Sequence, residues 1–131
     1  MIDAVKLESI VNNEGNVANF AQMMQEFVKI GIVSYDYLVA DGLYRYYDAA
    51  GDIVDLQLNG IPHPIMPESK AELIEEAVRS AQAGKLANFD AFCQRASLAG
   101  VIYWRSDLVK KVVNYYGWED ELLLSEPIPG L

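Results

Sequence analysis

The sequence contains one stretch twice, and this repeat constrains the fold more than any other feature. Residues 15–47 and 84–116 align without a gap at an offset of 69 positions, with eight identities in 33 positions. The offset also preserves the helical phase of the apolar side chains. A unit of this length that occurs only twice predicts a tandem duplication within one pseudo-symmetric domain. The identical pairs are Gly15/Gly84, Ala18/Ala87, Asn19/Asn88, Phe20/Phe89, Gln25/Gln94, Gly31/Gly100, Tyr46/Tyr115 and Tyr47/Tyr116.

Each half has the pattern helix, helix, strand, strand, strand. Apolar residues at helical spacing predict the helices, and segments rich in β-branched and aromatic residues predict the strands. In the second helix, which we expect to begin near Val17, Asn19 could cap a slightly shorter version. The predicted helices cover residues 2–12, 17–30, 69–83 and 88–99, and the predicted strands cover residues 32–39, 43–47, 53–58, 101–106, 111–116 and 121–125.

These elements predict an α+β fold with mostly antiparallel strands packed against helices. The two sets of three strands can form one sheet or two, and the sequence leaves both arrangements open. The proline-rich residues 59–68 form a strap that joins repeats at about 1–62 and 70–129 within a single domain, 1–131.

Local signals mark several boundaries between the elements. Gly15 and Gly84 each follow a predicted helix and are expected to end it. Asp41-Gly42 is typical of a tight hairpin turn. Ser69 and Glu72 have the spacing of a capping box, which predicts that the Ser69 side chain caps the third helix.

The composition excludes several classes of partner. A net charge of −9 and a pI near 4.4 disfavour nucleic acid and anionic lipid, because both require clustered basic residues. No apolar run has the length of a membrane span, and the N-terminus lacks the pattern of a signal peptide. A single cysteine, Cys93, excludes an intrachain disulfide and fits a reducing compartment. We therefore expect a cytoplasmic protein.

Residues suited to catalysis are few and scattered. His63 is the only histidine, and in its Pro-flanked loop it could act as a base together with an aspartate. Cys93 lies on the apolar stripe of a helix and is expected to be a buried hydrophobic residue. Asp36 and Asp55 lie within predicted strands, where solvent-facing positions account for them. No metal-ligand spacing or cofactor motif is present, so we expect neither a metal nor a cofactor.

Aromatic residues are concentrated on the strands of both repeats. In each Tyr-Tyr pair the two rings must point to opposite faces of the sheet. One ring can join the core, whereas the other must meet solvent, a partner or a ligand. Two interpretations stay open: the aromatic side chains fill a core, or they line an interface or ligand groove. The candidate site residues are Tyr35, Tyr46, Tyr47, Trp104, Tyr115 and Tyr116, together with His63.

A spaced set of residues in the second repeat has the pattern of a known family. These residues are Phe89-Asp90-Ala91-Phe92-Cys93, Ala96, Ala99-Gly100-Val101, Trp104, Asp107, Tyr115-Tyr116 and Ile128-Pro129. On this pattern the chain resembles domain of unknown function 1398, a bacterial and prophage family. That family includes the YdfO-like prophage proteins and is sometimes labelled "phage envelope protein". The resemblance covers nearly the whole chain and implies a single domain, but it implies no activity and no site residues.

The sequence therefore favours a non-enzymatic module that binds a ligand or a protein. Its candidate occupants are a small molecule, a protein partner or a second copy of the chain forming a homodimer. A small enzyme that uses His63 with an aspartate is the alternative. A prophage-derived accessory protein that acts on a host partner is a third hypothesis.

Overall fold

The computed structural model of the chain describes residues 1–14, 20–128 and 130–131. The predictions for Gly15, Val17, Ala18, Asn19 and Pro129 lie outside the described residues. The helices are α1 (Ala4–Glu14), α2 (Phe20–Lys29), α3 (Ala71–Gln82) and α4 (Phe89–Leu98), and the strands are β1 (Ile32–Leu38), β2 (Leu43–Asp48), β3 (Ile53–Leu56), β4 (Tyr103–Asp107), β5 (Val112–Tyr116) and β6 (Leu122–Pro127).

Two helices begin where a side-chain oxygen accepts a hydrogen bond from a backbone N–H group of the first turn. Asp3 Oδ1 accepts hydrogen bonds from the backbone N–H groups of Val5 and Lys6, so α1 begins two residues later than predicted. Asn88 Oδ1 accepts from the backbone N–H of Ala91 at 2.9 Å and caps α4 in the same way.

The capping box predicted for α3 is wrong. Lys70 occupies the N-cap position and makes no side-chain capping hydrogen bond. Ser69 Oγ instead donates to the carbonyl oxygen of Gly100 at 2.8 Å and accepts from the backbone N–H of Trp118 at 3.0 Å. The hydroxyl therefore ties the start of α3 to two segments of the second half, and the local sequence pattern carries no signal for these distant acceptors and donors.

The six strands form one antiparallel sheet in the order β3-β2-β1-β4-β5-β6. This confirms the α+β prediction. Of the two arrangements that the sequence left open, the structure has the single sheet. The strands of the first half run outward from β1 and those of the second half outward from β4, so the order is symmetrical about the β1–β4 pair. Asp36 lies opposite Arg105 at the middle of that pair. Tandem duplication as the origin of this symmetry stays a prediction.

One face of the sheet lies beneath the helices and forms the core. Phe27 of α2 packs against Tyr35 and Tyr46 with ring centroids 5.5 and 5.3 Å apart, and Phe92 of α4 packs against Trp104 at 5.4 Å. Aromatic rings from the strands thus occupy the space between the helices and the sheet. The buried strand aromatics are Tyr35, Tyr37, Tyr44, Tyr46, Trp104 and Tyr115.

Residues 59–68, the predicted strap, lie against the turn between β1 and β2 and then against α4. Gly60 contacts the backbone of Gly42 so closely that a Cβ atom at either glycine would overlap with backbone atoms. Further along, the backbone N–H of His63 donates to the carbonyl oxygen of Val39 at 3.2 Å, and that of Met66 donates to Ser97 at 3.0 Å. The strap is therefore fixed by backbone contacts at both of its ends.

Candidate functional site

The face of the sheet opposite α1–α4, here called the open face, is not covered by these four helices; the short 3₁₀ helix Trp118–Asp120 reaches it only through Asp120, which accepts a hydrogen bond from Tyr103. Side chains alternate between the two faces of each strand, so the register places the side chains of the open face in three transverse rows. The central row is Asp55, Arg45, Asp36, Arg105, Asn114 and Ser125; one flanking row is Ile53, Tyr47, Ser34, Asp107, Val112 and Pro127; the other is Leu43, Leu38, Tyr103, Tyr116 and Leu122.

Charges of opposite sign alternate along the central row and pair within the chain. Arg105 donates from Nε and Nη2 to the two carboxylate oxygens of Asp36 at 2.6 and 2.8 Å. Arg45 donates to Asp55 in the same bidentate way at 2.8 and 3.0 Å. Two-pronged pairs of this kind fix the planes of both groups as well as their distance. The hydrogen bonds that Arg105 donates to Asp36 raise the pKa of Arg105, and those that Arg45 donates to Asp55 raise the pKa of Arg45.

Asp36 is buried although its face of the sheet is open. Its exposed fraction is 5%, because the Arg105 side chain and the Tyr47 ring lie over it. The Tyr47 hydroxyl donates to Asp36 Oδ2 at 3.0 Å, and the Arg105 guanidinium lies 5.9 Å from the centroid of the Tyr47 ring. The expectation that Asp36 faces solvent is therefore wrong: long neighbouring side chains replace water around its carboxylate.

Apolar and aromatic side chains flank the central row on both sides. The rings of Tyr103 and Tyr116 stack with centroids 4.9 Å apart, and the Tyr103 hydroxyl donates to Asp120 Oδ1 at 3.2 Å. Burial, assisted by Asp120, raises the pKa of Tyr103. Ile53 and Leu122 are 60% and 53% exposed at opposite corners of the face. The open face thus combines paired charges with accessible apolar area.

The candidate aromatic residues divide between the two faces as the alternation of strand side chains requires. Tyr35, Tyr46, Trp104 and Tyr115 belong to the buried core, where their packing beneath the helices accounts for them. Tyr47 and Tyr116 are half-buried on the open face. Only these two of the six aromatic candidates are therefore placed where a partner can reach them without displacing a helix.

His63, the remaining candidate, lies on the strap beside the first turn of α4. Its Nε2 is 2.7 Å from Asp90 Oδ1, with side-chain exposures of 17% for His63 and 40% for Asp90. The structure thus gives the imidazole a carboxylate partner, as an acid–base pair requires, but from a helix and not from a strand. The sequence interpretation missed Asp90, because its closeness to His63 arises only when the strap packs along α4.

Cys93 lies one turn beyond Asp90 on α4 and is buried, with an exposed fraction of 1%. Burial raises the pKa of its thiol to about 12. A thiol that stays protonated at neutral pH is a poor nucleophile. Cys93 is therefore a core residue, consistent with its position on the apolar stripe.

Other parts of the described surface are less suited to binding a ligand than the open face. A groove of about 530 Å³ between α3 and α4 is lined mainly by charged side chains, whereas small-molecule sites are mostly apolar. No group of three or more His, Cys, Asp or Glu residues suited to a metal ion occurs among the described residues. Within the same parts of the chain, no helix has the length and apolar character needed to cross a membrane.

The sequence that forms this sheet matches a known protein family over nearly its whole length. A family model described as "Protein of unknown function (DUF1398)" matches residues 8–127. That span includes all six strands and both Tyr-Tyr pairs. No curated protein matches the chain.

Proposed function

We propose that this chain, which belongs to the DUF1398 family of proteins of unknown function, is a non-enzymatic protein-interaction module. The chain acts as one domain, and the open face is the surface that binds the partner. Tyr47 and Tyr116 are the aromatic contacts on that face, and Ile53 and Leu122 are the aliphatic ones.

The observation that carries this proposal is the pairing of charges on an otherwise accessible, aromatic face. An unpaired charge that is covered by a partner loses its hydration without compensation. Arg105 and Arg45 each keep a bidentate carboxylate partner from their own chain, so covering them costs less. Tyrosine and arginine are also the side chains enriched at the centres of protein interfaces.

The shape of the surface favours a protein over a small molecule. A six-stranded sheet presents a broad, gently twisted surface, whereas small ligands are held in concave pockets. A protein surface can contact all three rows at once. The occupant of this face is therefore a macromolecular surface with its own apolar and hydrogen-bonding groups.

Site-specific photo-crosslinking in the cell that makes the protein tests this proposal. A photoreactive phenylalanine derivative replaces Tyr47 in one variant and Tyr116 in another. We expect both variants to form covalent adducts with a protein, because both positions lie under the partner. Crosslinked peptides identified by mass spectrometry then show whether the adduct is a second copy or another chain.

The matched control places the same photoreactive residue at Glu75 on α3, on the helical side of the molecule. It should give no adduct with the partner captured from the open face. Adducts at Glu75 but not at Tyr47 and Tyr116, or no adducts at all, would contradict the proposal.

An enzyme that uses His63 is the second candidate, favoured by the 2.7 Å contact between His63 Nε2 and Asp90 Oδ1. In such an enzyme Asp90 orients the imidazole and His63 acts as acid or base. Activated esters, phosphate esters and glycosides are suitable probes. Turnover that is lost in His63→Ala and reduced in Asp90→Asn would favour this candidate, whereas no turnover by the unaltered protein would count against it.

The prophage connection and the cytoplasmic location also belong to this proposal. The lone buried thiol of Cys93 is compatible with a reducing compartment. In a prophage-derived protein, the partner bound at the open face would be either a host protein or another phage protein, and the crosslinked peptides identify which.

A further inference from the structure

We infer that the occupant of the open face is a second copy of this chain, bound face to face about a two-fold axis parallel to the strands. This inference rests on the proposed function, since it names the partner for the same surface. The axis passes between β1 and β4, so β1 of one copy lies over β4 of the other, β2 over β5, and β3 over β6.

The order of charges in the central row makes the face complementary to itself in this orientation. Rotation about an axis parallel to the strands reverses each row end to end. Asp36 then lies opposite Arg105 of the second copy, and Arg45 lies opposite Asn114 of the second copy. Asp55 likewise meets the Ser125 hydroxyl. Each acceptor therefore meets a donor, as an isologous interface requires.

The flanking rows match under the same rotation. Each row lies opposite the same row of the second copy, in reverse order. Leu43 therefore lies opposite Tyr116 of the second copy, and Leu38 lies opposite Tyr103. In the other row, Tyr47 meets Val112 and Ser34 meets Asp107. Apolar groups thus face apolar groups, and a hydroxyl faces a carboxylate.

The alternative two-fold axis, parallel to the rows, is excluded by the same charges. It would leave the central row in its original order and place Asp36 on Asp36 and Arg105 on Arg105. Like charges brought together at an interface repel each other and oppose association. Of these two axes, only the one parallel to the strands therefore gives a compatible face-to-face dimer.

The distribution of net charge also favours this face over the rest of the surface. The chain carries a net charge of −9, so two copies repel each other over most of their surfaces. The three rows contain three carboxylates and two guanidinium groups, and Asp120, bonded to Tyr103, adds one more carboxylate, so the face carries only a small share of the net negative charge. The open face is thus the region where two copies can approach with little repulsion.

The area of the face is that of a weak dimer. Six strands spaced about 4.8 Å apart, with about five residues each at about 3.3 Å, give roughly 500 Å² per copy. Two copies bury roughly 1,000 Å², the lower end of the range for specific interfaces. We therefore expect a reversible dimer, with monomers present in dilute solution.

A charge pair introduced across the interface tests both the partner and the orientation. Leu43 and Tyr116 lie on β2 and β5, which β1 and β4 separate within one chain. Their direct contact can arise only between two copies. The variants are Leu43→Glu, Tyr116→Lys and the double variant, and sedimentation equilibrium measures their association. Val28→Glu, at an exposed position on α2, is the matched control.

We expect the unaltered protein and Val28→Glu to dimerise, each single variant to associate at least tenfold more weakly, and the double variant to recover. An unaltered protein that stays monomeric at high concentration would overturn the inference. Dimerisation that both single variants retain would overturn it as well, because another surface would then hold the copies together. If the unaltered protein is monomeric but Tyr47 and Tyr116 crosslink to a different protein in the cell, the proposed function stands and only the second copy is excluded.

An intermolecular thiol crosslink gives a second measurement if the charged variants fold poorly. Sheets packed face to face lie about 10 Å apart, which is too far for a direct disulfide, so a short bifunctional maleimide is the reagent. It should link the Leu43→Cys/Tyr116→Cys variant into covalent dimers through a Leu43–Tyr116 linkage, which neither single cysteine variant can form. Cys93 is buried and does not compete for the reagent. Absence of the linkage in the double cysteine variant would contradict the face-to-face arrangement.

Discussion

Arg105 lies directly opposite Asp36 on the neighbouring strand and donates two hydrogen bonds to its carboxylate at 2.6 and 2.8 Å. The two residues are 69 positions apart, which is the offset at which the two halves of the sequence align. They therefore occupy equivalent positions in the two halves and meet where β1 and β4 join. This ion pair connects the halves across the sheet and forms the middle of the open face.

We predict that Arg105→Met destabilises the protein by about 2 kcal/mol, because it leaves the buried Asp36 carboxylate without its main partner. The value is below that for a fully buried pair, since the Arg105 side chain is 44% exposed. Urea unfolding, read by circular dichroism, measures the change in free energy.

Arg45→Met is the matched control for Arg105→Met. It removes a pair with the same bidentate geometry and a similarly exposed arginine, but the Asp55 carboxylate is 41% exposed whereas that of Asp36 is 7% exposed. We expect a loss of less than about 1 kcal/mol. Equal losses in the two variants would show that the burial of Asp36 makes no difference.

Gly100 and Gly31 give a second matched pair, because they occupy equivalent positions in the repeats. Both have positive φ, +75° for Gly100 and +91° for Gly31, so alanine costs about 1–2 kcal/mol at either position. At Gly100 the added Cβ also meets the backbone of Glu68 and Ser69, whereas at Gly31 it meets no atom within 4 Å.

We therefore expect Gly100→Ala to be more destabilising than Gly31→Ala by about 2 kcal/mol, because the strap must move away from the end of α4. Thermal and urea unfolding of the two variants measure the difference. If Gly31→Ala proves equally destabilising, the contact between the strap and Gly100 does not limit stability.

The buried tyrosines predict a loss of stability at alkaline pH. Burial raises the pKa of Tyr35 to about 12, against 10.0 for an exposed tyrosine. It also raises the pKa values of Tyr37, Tyr44, Tyr46 and Tyr115 above that ordinary value. The folded state thus holds protons that the unfolded state releases. Stability is complete below pH 10 and falls as the pH rises above it.

Each such tyrosine contributes about 1.4 kcal/mol per pH unit to this loss. We expect one cooperative transition between about pH 10 and 12, with tyrosinate absorbance at 295 nm rising together with the loss of far-ultraviolet circular dichroism. Full ionisation of all eight tyrosines with the circular dichroism unchanged would contradict the burial of their hydroxyl groups.

The contact between His63 and Asp90 should make the effects of their substitution non-additive. His63→Ala and Asp90→Ala each remove this side-chain contact between the strap and α4, whereas the backbone hydrogen bond from Met66 to Ser97 remains. The double variant should therefore lose less stability than the sum of the two single variants, with a coupling of about 1 kcal/mol. A double-mutant cycle by urea unfolding measures the coupling, and strict additivity would mean that the contact contributes nothing.

The sequence predicted the parts of the fold that depend on local pattern. The apolar spacing on α2 and α4 predicted the faces that pack on the core, and alternation predicted that the two rings of each Tyr-Tyr pair point to opposite faces. Which ring of each pair joins the core was not predicted; the structure buries Tyr46 and Tyr115. Joining of the two sets of strands could not be predicted, because hairpin turns specify neighbours only within each set.

The paired charges were missed for the same physical reason. Asp36 and Arg105 are separated by most of the chain, and nothing near Asp36 in the sequence indicates that a guanidinium covers it. The equal offset was only a partial signal. In an antiparallel pair that is symmetrical about β1 and β4, only the residues on the axis lie opposite the residue at the same offset: Asp36 pairs with Arg105, whereas Tyr35 pairs with Ser106 and not with Trp104. Asp90 had no such signal, since its contact with His63 depends on the path of the strap.

Hydroxyl-radical footprinting of Tyr47, Tyr103 and Tyr116 tests most directly whether a partner covers the open face in the presence of the other cell proteins. Oxidation rates are measured by mass spectrometry in dilute purified protein and in extract of the source cells, with Trp118 as an exposed reference outside the three rows. Slower oxidation of the three tyrosines in the extract, with Trp118 unchanged, is the expected result. Equal rates in both conditions would contradict the assignment of the open face as the interaction surface.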